Sequence, residues 1–279
     1  MNSLLRYCLA GFFILNLFFS LPANVLSQTN LASKIMVTDF ELQSSAIVSE
    51  DGEVISTREF KTRDWYPVQV PTTVLSALVK NGVYPDPYVG MNNMQIPDAH
   101  PEFSKKYDLV KFSHLGGNKN PWEDPYWYRA EIELPGEFQG RQIWLNFDGI
   151  NYRADVYLNG QHVANSQELV GMFEQFSINV TGSADPGRTN TLAVKIHPLD
   201  YPGMPAEPQL EALGPFGPNG GPTSDIGKNV TMQSSAGWDW LPAVRDRNIG
   251  IWQDVYLTTT SSVDIRHPHV IADLPLPDT

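Results

Sequence analysis

The sequence predicts an all-β protein, an antiparallel sandwich of the jelly-roll kind with one short helix and two long loops. Three observations carry that reading. Apolar and polar residues alternate with period two in several short runs. Turn clusters rich in Gly, Pro and Asn separate those runs at intervals of about ten residues. An Asn159-Gly160 pair sits between two alternating runs, the strongest short hairpin signal, because both central residues of such a turn take positive φ.

The strands follow in order. Tyr126–Leu134 and Gln142–Asp148 alternate, then Arg153–Leu158 and Gln161–Val163 flank the Asn-Gly turn. Phe173–Val180, Asn190–His197 and Ile251–Thr259 complete the set, with breaks at Pro135-Gly136, Gln139-Gly140 and Gly182–Gly187. The helix is expected over 74–81. Thr72 and Thr73 are available as caps, Val74, Leu75, Leu78 and Val79 share one face, and Asn81-Gly82 supplies the stop.

Two segments are too long for plain connections. Residues 82–125 contain Tyr84-Pro85-Asp86-Pro87-Tyr88-Val89-Gly90-Met91-Asn92-Asn93 and Pro121-Trp122, and residues 198–235 hold seven prolines and six glycines. Loops of this length in a compact domain are functional or disordered. Their aromatics, Tyr88, Trp122, Tyr201 and Phe216, favour ordered surfaces.

The N-terminus reads as an export signal. Arg6 precedes an apolar run from Leu9 to Phe19 broken only by Gly11 and Asn16, and Val25-Leu26-Ser27 offers a cleavage site. The run is too short to span a membrane. Cys8, after Arg6-Tyr7, stands too early for a lipoprotein site. Cleavage after Ser27 leaves 252 of the 279 residues and removes Cys8, the single cysteine. The mature chain is then secreted or periplasmic, with no disulfide, thiolate nucleophile or Cys-bound metal. Its formal charge moves from −12 to −13, because Arg6 is the one charge lost. So acidic a chain argues against nucleic acid or an anionic membrane as partner.

The division expected is a signal at 1–27, one sandwich over 28–261, and a further domain beginning in 262–279. Val263–Ile271 reads as that domain's opening strand, and a lone strand cannot bury its face. The chain therefore reads as a fragment or as the product of a truncated gene.

No nucleophile elbow, His-Glu-x-x-His helix or phosphate loop occurs; Gly214–Gly221 has the glycines, but prolines where a helix would start. Catalytic residues, metal ligands and cofactors are therefore assigned to none. The histidines are scattered, and His267-x-His269 lacks a third ligand. No carboxylate pair is nominated for a glycosidase site, where about 5–5.5 Å must separate the two groups in a retaining enzyme. Asn179-Val180-Thr181 and Asn229-Val230-Thr231 match the glycosylation acceptor.

The most informative stretch is Gly237-Trp238-Asp239-Trp240-Leu241-Pro242, followed by Gly250-Ile251-Trp252. A carboxylate between two indoles suits a sugar, whose C–H face stacks on rings while its hydroxyls meet a charged acceptor. The competing role is structural, with Trp238 and Trp240 in the core and Asp239 capping a turn.

Six pieces, in order, carry a resemblance: Val70–Leu75, Asp86–Asn92, Tyr126–Arg129, Gly149–Gly160, Gly171–Thr181 and the block from Gly237 to Trp252. Over nearly the whole mature chain the sequence resembles the N-terminal sugar-binding domain of glycoside hydrolase family 2, galactose-binding-like in fold. The nearest branch is that of exo-β-glucosaminidases, β-mannosidases and endo-β-mannosidases. The resemblance implies an immunoglobulin-like domain and a (β/α)₈ barrel downstream, with two glutamates acting through a glycosyl-enzyme. It also implies that Asp239, with Trp238 and Trp240, contacts a β-linked glucosamine or mannose unit. Asn92 and Asn93 are further candidates, with closure of their own loop as the competing role. A barrel needs about 250 residues, so the catalytic barrel is missing from this chain.

A stand-alone carbohydrate-binding module and a remnant of a split gene are the alternatives. One indole covering about 100 Å² of apolar surface contributes roughly 2.5 kcal/mol. A charged hydrogen bond adds about 1.5–3 kcal/mol, against an association cost of roughly 4 kcal/mol or more. Monosaccharide binding by the chain alone is therefore expected to be no tighter than ~10 mM.

Overall fold

A computed structural model describes residues 34–99, 109–199, 231–232, 244–263 and 268–272. The segment expected to direct export and the candidates Trp238, Asp239 and Trp240 lie outside the described residues, as do Tyr201 and Phe216.

The strands are β1 (Ile35–Met36), β2 (Asp39–Ser44), β3 (Tyr66–Gln69), β4 (Thr72–Thr73), β5 (Tyr126–Glu133), β6 (Gln142–Phe147) and β7 (Ile150–Asn151). They continue with β8 (Arg153–Leu158), β9 (Gln161–Ala164), β10 (Phe176–Asn179), β11 (Thr189–His197), β12 (Gly250–Ile251) and β13 (Val255–Thr260). One sheet runs β1-β13-β6-β10 and a second β3-β2-β5-β11-β8-β9. Every pairing between these strands is antiparallel. Inward residues of both sheets share one core, Phe147, Leu145 and Leu257 from the first and Leu42, Tyr128, Val156 and Val194 from the second. The protein is an all-β sandwich, and the alternation is direct: β6, β8 and β13 bury every second residue.

The Asn-Gly hairpin forms as expected, with Asn159 at φ 51° and Gly160 at φ 79° joining β8 to β9. The expected helix spans Val74–Lys80 (α2 below). Thr73 caps it by accepting a bond from the Ser76 amide at 3.3 Å, and Gly82 follows at φ 72°.

Several expectations need correction. More than one short helix is present: α1 (Gly52–Ile55), α2 (Val74–Lys80) and α3 (Leu109–Phe112), with 3₁₀ turns at Asn92–Gln95 and Gly136–Phe138. Single turns are too short to show an apolar period. The strand expected from Phe173 begins only at Phe176, because Gly171 at φ 129° turns the chain first. The strand expected over 251–259 is two strands. Trp252 and Gln253 turn their amides to the Gly149 carbonyl instead of a ladder. Trp122, expected at the surface, is buried, and its indole donates to the Pro97 carbonyl at 2.6 Å. Tyr88 does lie at the surface, 92% exposed. Residues 268–272 take no regular structure, and 264–267 lie outside the described residues.

Strands β2 and β3 and the segment between them carried no expectation. Val48, Ile55 and Trp65 from that segment cover Trp127 and Ala193 on the outer face of the second sheet. The Arg129 guanidinium closes this cover by donating to the Ile55 and Thr57 carbonyls, each at 3.1 Å.

A small third sheet, β4-β12-β7, ties the start of α2 to Gly250–Ile251. Gly250 makes that close approach possible. Its φ is 139°, and a Cβ there would stand 2.7 Å from the Tyr128 hydroxyl and 2.9 Å from the Thr73 Cα. Gly250→Ala is therefore expected to destabilise the fold by at least about 2 kcal/mol in a chemical denaturation series, through strain and overpacking together. An unchanged midpoint would contradict this account of the junction.

Candidate functional site

Four residues past Trp240 the chain reads Val244-Arg245-Asp246-Arg247-Asn248. As sequence this is a solvated turn. In the fold the three charged side chains are buried. Arg247 and Asn248 both take left-handed backbone, at φ 57° and 59°. The Asn151 side-chain amide holds that turn by donating to the carbonyls of Arg247 (2.9 Å) and Asn248 (2.8 Å).

Asp98 is the hub, only 1% exposed. Its Oδ2 accepts from Arg245 Nη1 at 2.8 Å and its Oδ1 from Arg247 Nη2 at 2.7 Å. Arg245 Nε reaches both the carbonyl and the Oδ1 of Asn93, each at 3.1 Å. Arg247 Nη1 donates to the Val244 carbonyl at 2.5 Å. The Arg245 carbonyl accepts from the Ala99 amide at 2.9 Å, and Asn120 donates to the Asp98 carbonyl at 2.8 Å. Three distant stretches, 93–99, 120–122 and 244–248, are thereby stitched at one place.

Asp246 faces the other way. Its Oδ2 accepts from the Leu75 amide in the first turn of α2 at 2.8 Å, and its Oδ1 from the Asn248 amide at 3.0 Å. Burial pushes its carboxyl up from 3.8 to about 6, a rise that the two amide bonds and Arg247 only partly offset.

The sequence candidates divide accordingly. Asn92 closes its own loop, donating to the Asp86 carbonyl at 3.0 Å and accepting from Gln95 at 3.3 Å. Asn93 is half-buried and engaged by Arg245, which joins its turn to the 244–248 stretch. Trp238, Asp239 and Trp240 lie outside the described residues. Asp98, Arg245 and Arg247 were not singled out from the sequence, and alternating charges in a turn gave no signal that they would be buried. Among the described residues no set of His, Cys, Asp or Glu side chains is arranged to hold a metal ion. The cluster presents no reacting group, and its chemistry is that of an anchor.

Comparison with known proteins bears on what is anchored. The family model described as glycosyl hydrolase 2 galactose-binding domain-like matches residues 50–110 and 112–253. The chain belongs to this family.

Relatives of this glycoside hydrolase family 2 domain include a mannosylglycoprotein endo-β-mannosidase of Lilium longiflorum, 36% identical over 210 residues, which are 75% of this chain and 19% of that protein. An exo-β-D-glucosaminidase of Streptomyces avermitilis is 28% identical over 257 residues, 92% of this chain and 23% of the relative. Among solved structures, the exo-chitosanase of Amycolatopsis orientalis superposes with a TM-score of 0.62 at 26% identity, over 87% of this chain and 22% of that one. The chain spans about a fifth of the length of these relatives and matches their N-terminal part.

The raised Asp246 pKa fixes a pH dependence. A carboxyl whose folded value lies above its unfolded one favours the native state at low pH and loses that contribution as pH rises from about 4 to about 6. Two pH units correspond to roughly 3 kcal/mol. In urea titrations the wild type should lose about that much relative to Asp246→Asn across this window and then run parallel to it. Parallel profiles throughout would contradict the burial argument.

Proposed function

We propose that this chain is the N-terminal, substrate-contacting domain of an exported family 2 glycosidase acting on β-glucosaminides or β-mannosides. Hydrolysis itself falls to a barrel with two glutamates that these residues do not include. One observation supports the reading above others. The chain immediately after Trp238-Asp239-Trp240 is clamped by buried charge, Arg245 and Arg247 on Asp98, to the turn that carries Asn93. Burying guanidinium groups is costly unless each is paired. An arrangement that accepts this cost at one end of a sandwich suits a loop base that must hold its position. Relatives named as glucosaminidases and mannosidases supply the substrate class.

In this reading Asp239 accepts hydroxyl or ammonium hydrogen bonds from the sugar at the non-reducing end, and one or both indoles cover its C–H face. The domain orients substrate, and the chemistry follows from positioning.

The test is made in a longer protein that joins this chain to its barrel, with p-nitrophenyl β-glucosaminide and β-mannoside as substrates. Asp239→Ala should lower kcat/KM by at least about tenfold, equivalent to ~1.4 kcal/mol of transition-state binding. An unchanged kcat/KM would remove Asp239 from the site.

A further inference from the structure

The turn after β12 and the turn before β10 enclose an open cleft of about 620 Å³, lined by Asp148, Phe173, Glu174, Gln175, Trp252 and Gln253. That volume falls within the range of small-molecule sites. It is a built surface. The Trp252 indole lies against Gly149, where a Cβ would stand 2.7 Å from its Nε1, and it is pinned by donation to the Met172 carbonyl at 3.1 Å. Phe173 meets it edge to face, with centroids 6.2 Å apart and planes at 83°, and stays 59% exposed. Gly171, at φ 129°, lets Glu174 fold close, since a Cβ there would stand 2.8 Å from the Glu174 Cγ.

The polar groups are as specific. Asp148 Oδ1 accepts from the Tyr256 hydroxyl at 3.1 Å and from Gln175 at 3.3 Å. Among the described residues none hydrogen-bonds its Oδ2. Among the described residues no Lys or Arg lines the cleft, and Lys34 is occupied 3.7 Å over the Tyr256 ring. An exposed ring beside a pinned indole, two carboxylates and two primary amides suit a ligand with apolar faces, many hydroxyls and positive charge.

We propose that this cleft is an accessory subsite for a chain of β-linked amino sugars, with the rings stacking on sugar faces and Asp148 and Glu174 taking the ammonium groups. The choice of amino sugar rests on the proposed function, whereas the place rests on the cleft alone. The volume accommodates more than one sugar unit, so an oligomer engages both rings where a monosaccharide engages one.

Calorimetry of the full 279-residue chain with the β-linked glucosamine trimer, its N-acetylated counterpart and a β-mannotriose tests this, at a pH between the carboxylate and amine values. The glucosamine trimer should bind at least about tenfold more tightly than glucosamine and weaken with added salt. Phe173→Ala, an exposed truncation, should lower its affinity at least about fivefold, as should Glu174→Gln. Trimer binding that ignores both cleft substitutions, equal binding of the acetylated or mannose trimers, or no binding at all would overturn the subsite. Loss of binding in Asp239→Ala alone would overturn it too and leave the proposed function standing. Cleft-dependent binding alongside an unchanged kcat/KM for Asp239→Ala in the longer protein would uphold the subsite and defeat the Asp239 contact.

Discussion

A buried carboxylate shared by two guanidinium groups is the constraint on which one end of this domain depends. Asp98 holds Arg245 and Arg247, and Asp246 between them turns to the Leu75 amide of α2. Two cations and two anions are packed where water does not reach. Desolvation of such groups is recovered only when each is paired and hydrogen-bonded. The hydrophobic sandwich would form without them, since its core draws on both sheets and needs no charge. The clamp adds polar pairing to a region whose apolar residues, Ile96, Trp122 and Ile249, already belong to the core.

The long connections carry the proposed sugar contacts. A jelly roll buries alternate side chains along its strands, and its chemistry is left to the loops at its ends. Here the turn bearing Asn93, the buried Trp122 and the chain after Trp240 are fastened to one another by hydrogen bonds to Asp98, its neighbours and Asn120. Gly250 then brings the same chain into contact with Thr72 and Thr73, so the clamp and the small third sheet act on adjacent residues.

The sandwich was legible because period-two alternation reports directly on a half-buried strand, and β6, β8 and β13 obey it residue by residue. The Asn159-Gly160 turn was legible because so few residue pairs accept two positive φ values. Other parts were hidden for physical reasons. The central strand β5 is buried on both faces over Tyr126–Ala130, covered outside by Val48, Ile55 and Trp65, apolar residues too widely spaced to show any period. The clamp was hidden more deeply. A run such as Arg245-Asp246-Arg247 looks solvated unless its partner is known, and Asp98 lies far away in sequence inside a proline-flanked loop. The candidates for sugar contact were legible only through the Trp-Asp-Trp composition and family resemblance, and of these Asn92 proves to be engaged in closing its own loop.

The most direct measurement is amide hydrogen exchange on Asp98→Asn. If the clamp defines this end independently of the sandwich, amides in 92–98 and 244–249 should lose protection together, by at least about tenfold, while β5, β8 and β11 keep theirs. Loss spread evenly through the sheets, or a response in one loop without the other, would contradict it.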